Sequence, residues 1–394
     1  MRVPGLDSAA ICAQWRDRLP LGAFGYAEEI DDSWRDVGGP TRSMLAQARL
    51  AYVFTHAGIL GDAACATAGA EAVARMQSLF WRAEDRGWAR AIGASGEIAD
   101  RVIDTYEQAF GLLALAWQYR ATGNDAMRAL ARVATEGLRD AAGDAAELGY
   151  PEARGGMVGG SADGGFPRGS PPRRRQNPHM HLLEAFLAWH SADPSGPWLD
   201  LAREIVELFR RRFRDPADGT LCEHFDQEWR PAAGDAGRLR EPGHHFEWVW
   251  LLRRYYEASA DDSVFSDAER LYSFAKDRGV DVDGVAFDAV HADGSVVADT
   301  KLLWPQTEML KAHLAWYEWT RDPGARELAH RTLAAIGDFY MIPDSALWRG
   351  KLDRARMPVS QPVLSRLLYH LFVALSEAER VLESAASISP AGAV

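Results

Sequence analysis

Apolar residues recur at the three-to-four-residue spacing of an amphipathic helix through most of the chain. This periodicity predicts twelve helices, at 8–19, 42–61, 66–84, 99–121, 124–142, 178–191, 197–213, 244–259, 261–277, 301–320, 323–340 and 359–383. Short turns rich in Asp, Asn, Pro and Gly, such as 122–125 and 321–324, join these helices in pairs. Longer connections, at 155–176, 214–243 and 281–299, separate the pairs. The chain is therefore predicted to form six helix hairpins.

The first and last predicted helices decide between an open and a closed arrangement of the hairpins. An open solenoid needs polar capping helices at both ends. Ile11 and Trp15 in the first helix, and Leu371 and Phe372 in the last, do not suit a polar cap. The sequence thus predicts an all-α fold, an (α/α)6 barrel in which residues 1–394 form one catalytic domain. The predicted inner helices are 42–61, 99–121, 178–191, 244–259, 301–320 and 359–383.

One long connection carries a pattern of its own. Residues 281–299 alternate apolar and polar side chains around Asp293-Gly294. An Asp-Gly pair between alternating segments is a strong signal for a tight turn. A β-hairpin is therefore predicted in this connection.

Charge and cysteine content narrow the class of protein. The 56 acidic and 44 basic side chains give a net charge of −12, which repels phosphate, so neither nucleic acid nor a membrane surface is expected as a partner. The three cysteines form no C-x-x-C motif, and no segment approaches the roughly 20 apolar residues that cross a bilayer. The first twenty residues lack the apolar run of a signal peptide. We expect a soluble cytoplasmic protein.

Polar and ionisable residues concentrate near the starts of the predicted inner helices. The pairs that share a helix face are Asn177 with His181, His244 with Glu247, and Trp304 with Glu308, while His370 lies in the last helix. A single helical histidine is more often structural than catalytic, and a His–Glu pair three residues apart is often a surface salt bridge. Here the pattern recurs on successive hairpins among apolar neighbours, and buried ionisable groups cluster at functional sites. In a closed ring these side chains would face one cavity.

Four segments resemble the N-acylglucosamine 2-epimerase superfamily, which includes mannose isomerases and cellobiose 2-epimerases. They are TRSMLAQARLAYVFTHA at 41–57, NPHMHLLEAFLAW at 177–189, EPGHHFEWVWLL at 241–252 and LWPQTEMLKA at 303–312. DTYEQAF at 104–110 and the late Tyr369-His370 also match. The resemblance implies an (α/α)6 barrel, in agreement with the hairpin count.

The resemblance also implies a role for each matched residue. It implies catalytic roles for His244, His370 and Glu247, and substrate-binding roles for Arg49, Tyr106, Asn177, His181, Trp304 and Glu308. The segment before His370 lacks the Trp-Lys often found there in disaccharide epimerases. The NPHMH segment is closer to the mannose isomerase branch, so the implied substrate is a monosaccharide.

The predicted reaction interconverts D-mannose and D-fructose through a cis-enediolate by histidine acid/base catalysis. The unperturbed pKa of histidine, about 6.5, suits transfer of the C2 proton at neutral pH. Glu247 is predicted to orient His244, and Arg49 to stabilise the enediolate oxygen. Return of the proton to C2 from the other face would give the epimer, so a 2-epimerase of N-acylglucosamine or cellobiose type is the alternative.

Two further hypotheses belong to other classes. An (α/α)6 glycoside hydrolase would use paired carboxylates such as Glu247 and Glu308, but hydrolysis would not require the histidines. A helical scaffold protein would bind partners along a groove and would not need buried His and Glu on successive inner helices. Conversion of a free sugar without added cofactor separates these classes.

The last expectations from the sequence concern metal binding and the arginine-rich connection. His179, His181, His244, His245 and Glu247 are of ligand type, but no H-E-x-x-H motif or Cys–His set is present, so neither metal nor cofactor is predicted. Arg168 and Arg173–Arg175 lie in a Gly/Pro-rich connection, which forms either a solvated loop or a lid whose arginines contact sugar oxygens or a phosphate. The expected assembly is a monomer or homodimer.

Overall fold

The computed structural model describes residues 6–142, 149–155 and 174–383. Helices dominate this part of the chain. They are α1 (Ser8–Arg18), α2 (Met44–Ile59), α3 (Ala63–Phe80), α4 (Thr105–Thr122), α5 (Asp125–Ala142), α6 (Asn177–Ala192), α7 (Trp198–Leu208), α8 (Asp235–Arg238), α9 (Pro242–Ser259), α10 (Val264–Arg278), α11 (Leu303–Thr320), α12 (Pro323–Ala335) and α13 (Leu368–Ala378). Single π-helical turns extend α7, α12 and α13. None of the described helices combines the length and apolarity needed to cross a bilayer.

Six helices form a closed inner ring. In order around the ring, α2, α4, α6, α9, α11 and α13 each contact the next, and α13 also contacts α2. The outer helices α3, α5, α7, α10 and α12 pack on the inner helix that precedes them, and α1 packs on α13. The prediction of an (α/α)6 barrel with these six segments inside is confirmed.

Burial explains which helices lie inside. Thirteen of the sixteen residues of α2 are buried, because an inner helix contacts both ring neighbours and an outer helix. Outer α5 buries one stripe, with Met127, Ala131, Ala134 and Leu138 at helical spacing, and most of its other residues are exposed or half-buried. A helix that is apolar all round belongs in a core, whereas an amphipathic one covers it.

Short strand pairs link the hairpins at the end of the barrel where the inner helices begin. The strands that precede the inner helices are 42–43, 103–104, 174–175, 239–240, 301–302 and 363–364. Each pairs with a strand from another long connection, for example Leu239–Arg240 with Ala289–His291. The predicted β-hairpin is confirmed at Ala289–His291 and Val296–Ala298. The long connections therefore gather around the N-terminal ends of the inner helices.

Three predicted helix boundaries are wrong for one reason. The segments 99–121 and 359–383 begin too early, because Ile98–Asp100 and Val363–Leu364 are strands. The segment 66–84 ends too late, because α3 stops at Phe80 and Trp81–Arg82 turns back to pair with another strand. In each case the residues beside the helix read as a further helical turn, but they form a strand instead. The partner strand lies nearby in the chain for Trp81–Arg82 and Ile98–Asp100, and far away for Val363–Leu364.

Candidate active site

His244, near the start of α9, is held by a carboxylate from the 214–243 connection. Its Nδ1 lies 2.8 Å from Oε2 of Glu223 and 3.4 Å from Oε2 of Glu241. The Gln176 side chain donates to Oε2 of Glu223 at 2.9 Å and accepts from Nε1 of Trp248 at 2.7 Å. The imidazole is thus fixed in direction by a buried polar chain, as is usual for a histidine whose other ring nitrogen does chemistry.

These contacts give His244 a positive charge. Burial opposes that charge, but Glu223 and then Glu241 overcome it and raise the pKa of His244 to about 10. Although burial acts in the opposite direction, His244 lowers the pKa of Glu223 to about 2. The pair is therefore an imidazolium and a carboxylate at neutral pH. The predicted partner Glu247 is wrong for this role, since the orienting carboxylate is Glu223.

The second predicted catalytic histidine, His370 on α13, has a matching anchor. Its Nδ1 lies 2.8 Å from Oε1 of Glu308 on α11. The other oxygen of Glu308 lies 2.5 Å from Nζ of Lys311, one helical turn further along α11. Both Glu308 and Lys311 are completely buried. One carboxylate therefore joins an ammonium group to an imidazole inside the ring.

Glu247, on α9, lies between the histidines of two other helices. Its Oε1 is 4.0 Å from Nε2 of His181, and it also groups closely with Glu308 and His370. Burial and the nearby Glu308 raise the pKa of Glu247 well above its ordinary value. This shift favours the neutral acid form of Glu247, which can donate a hydrogen bond as well as accept one.

His181, on α6, is tied to the same network from the other side. Its Nδ1 lies 3.1 Å from Oε2 of Glu184, and the Tyr369 hydroxyl donates to Glu184 at 2.6 Å. Burial lowers the pKa of His181 despite Glu184, so its imidazole tends toward the neutral form. Asn177, at the start of α6, has a buried Oδ1 that forms no hydrogen bond within the described residues.

Arg49, on α2, places a guanidinium against three aromatic rings. It donates to the Tyr106 hydroxyl at 2.6 Å and lies 4.3 Å from the ring centre of Phe110 and 5.1 Å from that of Tyr369. The ring of His181 packs edge-on against Tyr106, with 5.1 Å between centres. Arg49 and Tyr106 thus join the network that contains His181 and Tyr369.

Trp304, at the start of α11, lies beside both histidines that are predicted to be catalytic. Its ring centre is 5.0 Å from that of His244 and 5.9 Å from that of His370. A Cβ atom at Gly243 would come within 2.4 Å of this indole, so only glycine allows α9 to approach it so closely. Trp304 is partly exposed. An indole in this position can support the C–H face of a sugar ring between the two imidazoles.

His179 and the arginine run have different surroundings. His179 is fully buried, and its Nε2 accepts from the Tyr150 amide at 2.9 Å, so it fixes the backbone and points away from the site. Arg175 is buried in an ion pair with Glu152 at 2.8 Å. Arg174 lies over the ring of Trp229. Arg168 and Arg173 lie outside the described residues, and a substrate contact by Arg175 is not compatible with its buried pairing.

Several residues of the site carry weak signals in the sequence. Glu223 and Gln176 lie in long connections, where no helical spacing marks them. Lys311 is detectable in principle, because it follows Glu308 at the i,i+3 spacing of one helix face. Glu184 and Tyr369 lie in segments that match the family resemblance.

Among the residues that the structure describes, three groups of donors have the composition of a metal site. They are His181 with Glu184 and Glu247, Glu223 with Glu241 and His244, and Glu247 with Glu308 and His370. The protein's own cations already pair with the carboxylates of the last two groups, since His244 is protonated and Lys311 contacts Glu308. The first group holds the hydroxyl of Tyr369 against its central carboxylate. We assign no metal to these groups.

Comparison with known proteins identifies relatives along the whole barrel. The model of the family described as N-acylglucosamine 2-epimerase (GlcNAc 2-epimerase) matches residues 25–374. A mannose-6-phosphate isomerase of Rhizobium meliloti (strain 1021) is 33% identical over 96% of each chain. A D-mannose isomerase of Thermobifida fusca is 30% identical over 70% of this chain and 68% of its own. The solved cellobiose 2-epimerase from Spirochaeta thermophila DSM 6192 superimposes with a TM-score of 0.83 at 20% identity, over 96% of this chain and 97% of that chain.

Proposed function

The chain belongs to the N-acylglucosamine 2-epimerase family of sugar isomerases and epimerases, and from this premise we propose that it interconverts D-mannose and D-fructose. One observation carries the proposal. Two histidines, each anchored through Nδ1 to a buried carboxylate, lie beside the same partly exposed tryptophan. Their surroundings differ, because His244 is held in its charged form by Glu223. A charged and a basic imidazole are the acid and the base that the reaction needs.

In the proposed reaction each proton has a named carrier. Nε2 of His370 removes the C2 proton of the open-chain aldose, and the electron pair forms the C1–C2 double bond. The His244 imidazolium donates its Nε2 proton to O1, while Arg49 stabilises the negative charge that develops on the enediolate oxygens. His370 then returns its proton to C1, and His244 removes the proton of O2 to leave the C2 carbonyl of the ketose. One base serves both carbons because C1 and C2 present the same face of a cis-enediolate.

The sugar's binding contacts follow from the remaining side chains. We place the sugar ring on Trp304, with Tyr106, Asn177 and His181 as hydrogen-bond partners of its hydroxyls. The buried and unpartnered Oδ1 of Asn177 supports this placement, since a buried acceptor needs a donor. Glu247, as a neutral acid, can pass a proton between a hydroxyl and the histidines.

A second candidate substrate is supported by the comparisons. The relative that covers 96% of both chains bears the name mannose-6-phosphate isomerase. The second candidate is therefore the same reaction on the 6-phosphate, with the phosphate outside the acid/base centre. The chemistry at C1 and C2 is identical for both substrates.

The test is direct conversion with purified protein and no added cofactor. D-Mannose, mannose 6-phosphate, cellobiose and N-acetylmannosamine are incubated separately in heavy water, and products are identified by NMR. The expected outcome is fructose carrying deuterium at C1. Formation of glucose from mannose would show that the protein is a 2-epimerase and not an isomerase. Preferential conversion of the phosphate ester would establish the second candidate. Absence of conversion of every sugar would refute the proposal.

We also propose that residues 1–394 act as one catalytic domain, in the cytoplasm, as a monomer or homodimer. The three buried, unpaired cysteines are consistent with a reducing compartment. Light scattering of the purified protein and its location after cell fractionation test these statements.

A further inference from the structure

Three carboxyl groups and one lysine are enclosed by the inner ring. Glu184, Glu247 and Glu308 project from α6, α9 and α11, and Lys311 from α11 lies among them. The lysine ammonium is 2.5 Å from Glu308 and 4.1 Å from the ring centre of Trp250. A buried lysine is costly unless a carboxylate and an aromatic face replace its hydration, and Lys311 has both.

Stability does not account for this ion pair. Replacing a buried pair by apolar side chains of similar volume is commonly neutral or stabilising, because both ions lose their hydration. The pair instead has a geometric consequence. Glu308 uses one oxygen for Lys311 and the other for Nδ1 of His370, so the position of the ammonium determines how the carboxylate meets the imidazole.

We propose that Lys311 is a positioning residue for His370, which acts through Glu308. The ammonium keeps Glu308 a carboxylate and turns it so that its free oxygen accepts the Nδ1–H of His370. His370 is then the tautomer whose Nε2 carries no proton, as a base must be. Lys311 supplies the fixed positive charge that a bound divalent cation would supply in a carboxylate-rich site. The inference rests on the proposed function, because it assigns Lys311 a part in the same proton transfer.

The charges around Glu308 support this role. Burial raises the pKa of Glu308, and the Lys311 ammonium is the largest influence that opposes the rise. The other ionisable groups that face this pair from the packed helices are Arg49, His181, Glu184, His244, Glu247, Tyr369 and His370. Without the ammonium, Glu308 would take up a proton and donate it to Nδ1 of His370. The imidazole would then carry its proton on Nε2 and could not accept one from the sugar.

The first test compares Lys311→Met with Lys301→Met. Lys301 is also completely buried and paired with a carboxylate, Asp281, but it does not contact Glu308 or His370. The acid limb of the kcat/KM profile reports proton uptake by the coupled Glu308–His370 pair, and an adjacent opposite charge shifts such a group by about one to three pH units. We therefore expect the limb to move up by that amount in Lys311→Met and to keep its place in Lys301→Met. An equal loss of activity at all pH values, with the limb unmoved, would overturn the proposal.

Two further variants keep the proposal testable if Lys311→Met does not fold. Lys311→Gln keeps a hydrogen-bond donor for Glu308 but removes the charge, and Lys311→Arg keeps the charge. We expect the glutamine variant to show the shifted limb and the arginine variant to keep the wild-type limb. If the glutamine variant kept the wild-type limb and the arginine variant showed the shifted one, the hydrogen bond and not the charge would position Glu308. That result would overturn the proposal.

An NMR measurement separates failure of this inference from failure of the proposed function. Protein labelled with ¹⁵N and ¹³C in histidine reports the tautomer of His370, assigned with a His370→Gln variant. We expect Nδ1–H in the wild type and in Lys301→Met, and Nε2–H in Lys311→Met. This measurement needs no substrate, so it decides the role of Lys311 even if no sugar is converted. An unchanged tautomer in Lys311→Met would refute it.

Discussion

Replacing Glu223 by glutamine tests the charge of His244 with the smallest change in shape. Oε2 of Glu223 lies 2.8 Å from Nδ1 of His244, and glutamine can keep this contact without the negative charge. The sign of the effect is fixed by burial. His244 is enclosed, and without Glu223 the burial that opposes its charge is balanced by Glu241 alone among its direct contacts.

The size of the effect follows from the pKa values. With the pKa of His244 at about 10, about 99% of the molecules carry the imidazolium at pH 8. If the pKa falls to the ordinary value of about 6.5, only about 3% do so. We therefore expect kcat/KM of Glu223→Gln to fall about 30-fold at pH 8 and little at pH 6. The basic limb of the profile should move down by about three pH units.

The same pair contributes to stability. The pKa of His244 is higher in the folded than in the unfolded state, so its contribution is complete below about pH 6.5 and disappears as pH rises through about 10. The Tm of the wild type should therefore fall toward the Tm of Glu223→Gln as pH rises through this window. The difference in Tm between the two proteins should be largest between about pH 4.5 and 6.5, because the lowered pKa of Glu223 means that its own contribution is lost as pH falls from about 4.5 to about 2.

The assay measures mannose-to-fructose conversion from pH 6 to about 11, so that the wild-type basic limb near pH 10 is included, with enzyme-free blanks because alkali alone isomerises sugars. Glu377→Gln is the matched control. Glu377→Gln also loses an ion pair, a half-buried one with Arg254, but Glu377 lies near the other end of α13 from His370. Its profile should keep the wild-type basic limb. If Glu223→Gln also kept that limb, Glu223 would not set the charge of His244, and the assignment of His244 as the acid would fail.

Four further predictions concern the histidines, Arg49 and metal binding. His244→Ala and His370→Ala should each abolish turnover and deuterium uptake at C2 of mannose, with an unchanged circular dichroism spectrum; near-normal exchange in either variant would remove that histidine from the mechanism. His179→Ala should keep its turnover per folded molecule but lose about 1–3 kcal/mol of unfolding free energy, measured by urea denaturation, because the Tyr150 amide loses its acceptor; a loss of turnover at full stability would contradict the structural role. Arg49→Met should lower kcat/KM by about 10²–10³-fold, as removal of an oxyanion-stabilising donor does, while dialysis against a chelator should leave the wild-type rate unchanged; metal-restored activity after dialysis would show that the carboxylate groups hold an ion.

Much of the fold can be predicted from the sequence because its information is local. An inner helix such as α2 is apolar around its whole circumference, whereas an outer helix such as α5 is apolar along one stripe, so side-chain spacing separates the two rings. The same spacing places His181, His244 and Glu308 at the starts of inner helices. The helix boundaries next to the strand pairs are less predictable, since Val363–Leu364 is a strand only because the distant segment Glu29–Ile30 lies beside it.

The partners of the catalytic histidines were decided by the tertiary structure. Spacing suggests that His244 pairs with Glu247. Side chains three residues apart nevertheless differ by about 60° around the helix axis, and in a closed ring this is enough for each to contact a different neighbouring element. His244 meets Glu223 from a connection, and Glu247 meets His181 from α6. Helical periodicity shows which face of a helix is buried, so the sequence by itself determines the buried face. The pairing of charged groups across the ring depends on how the long connections close over the barrel. Only the tertiary structure determines that pairing.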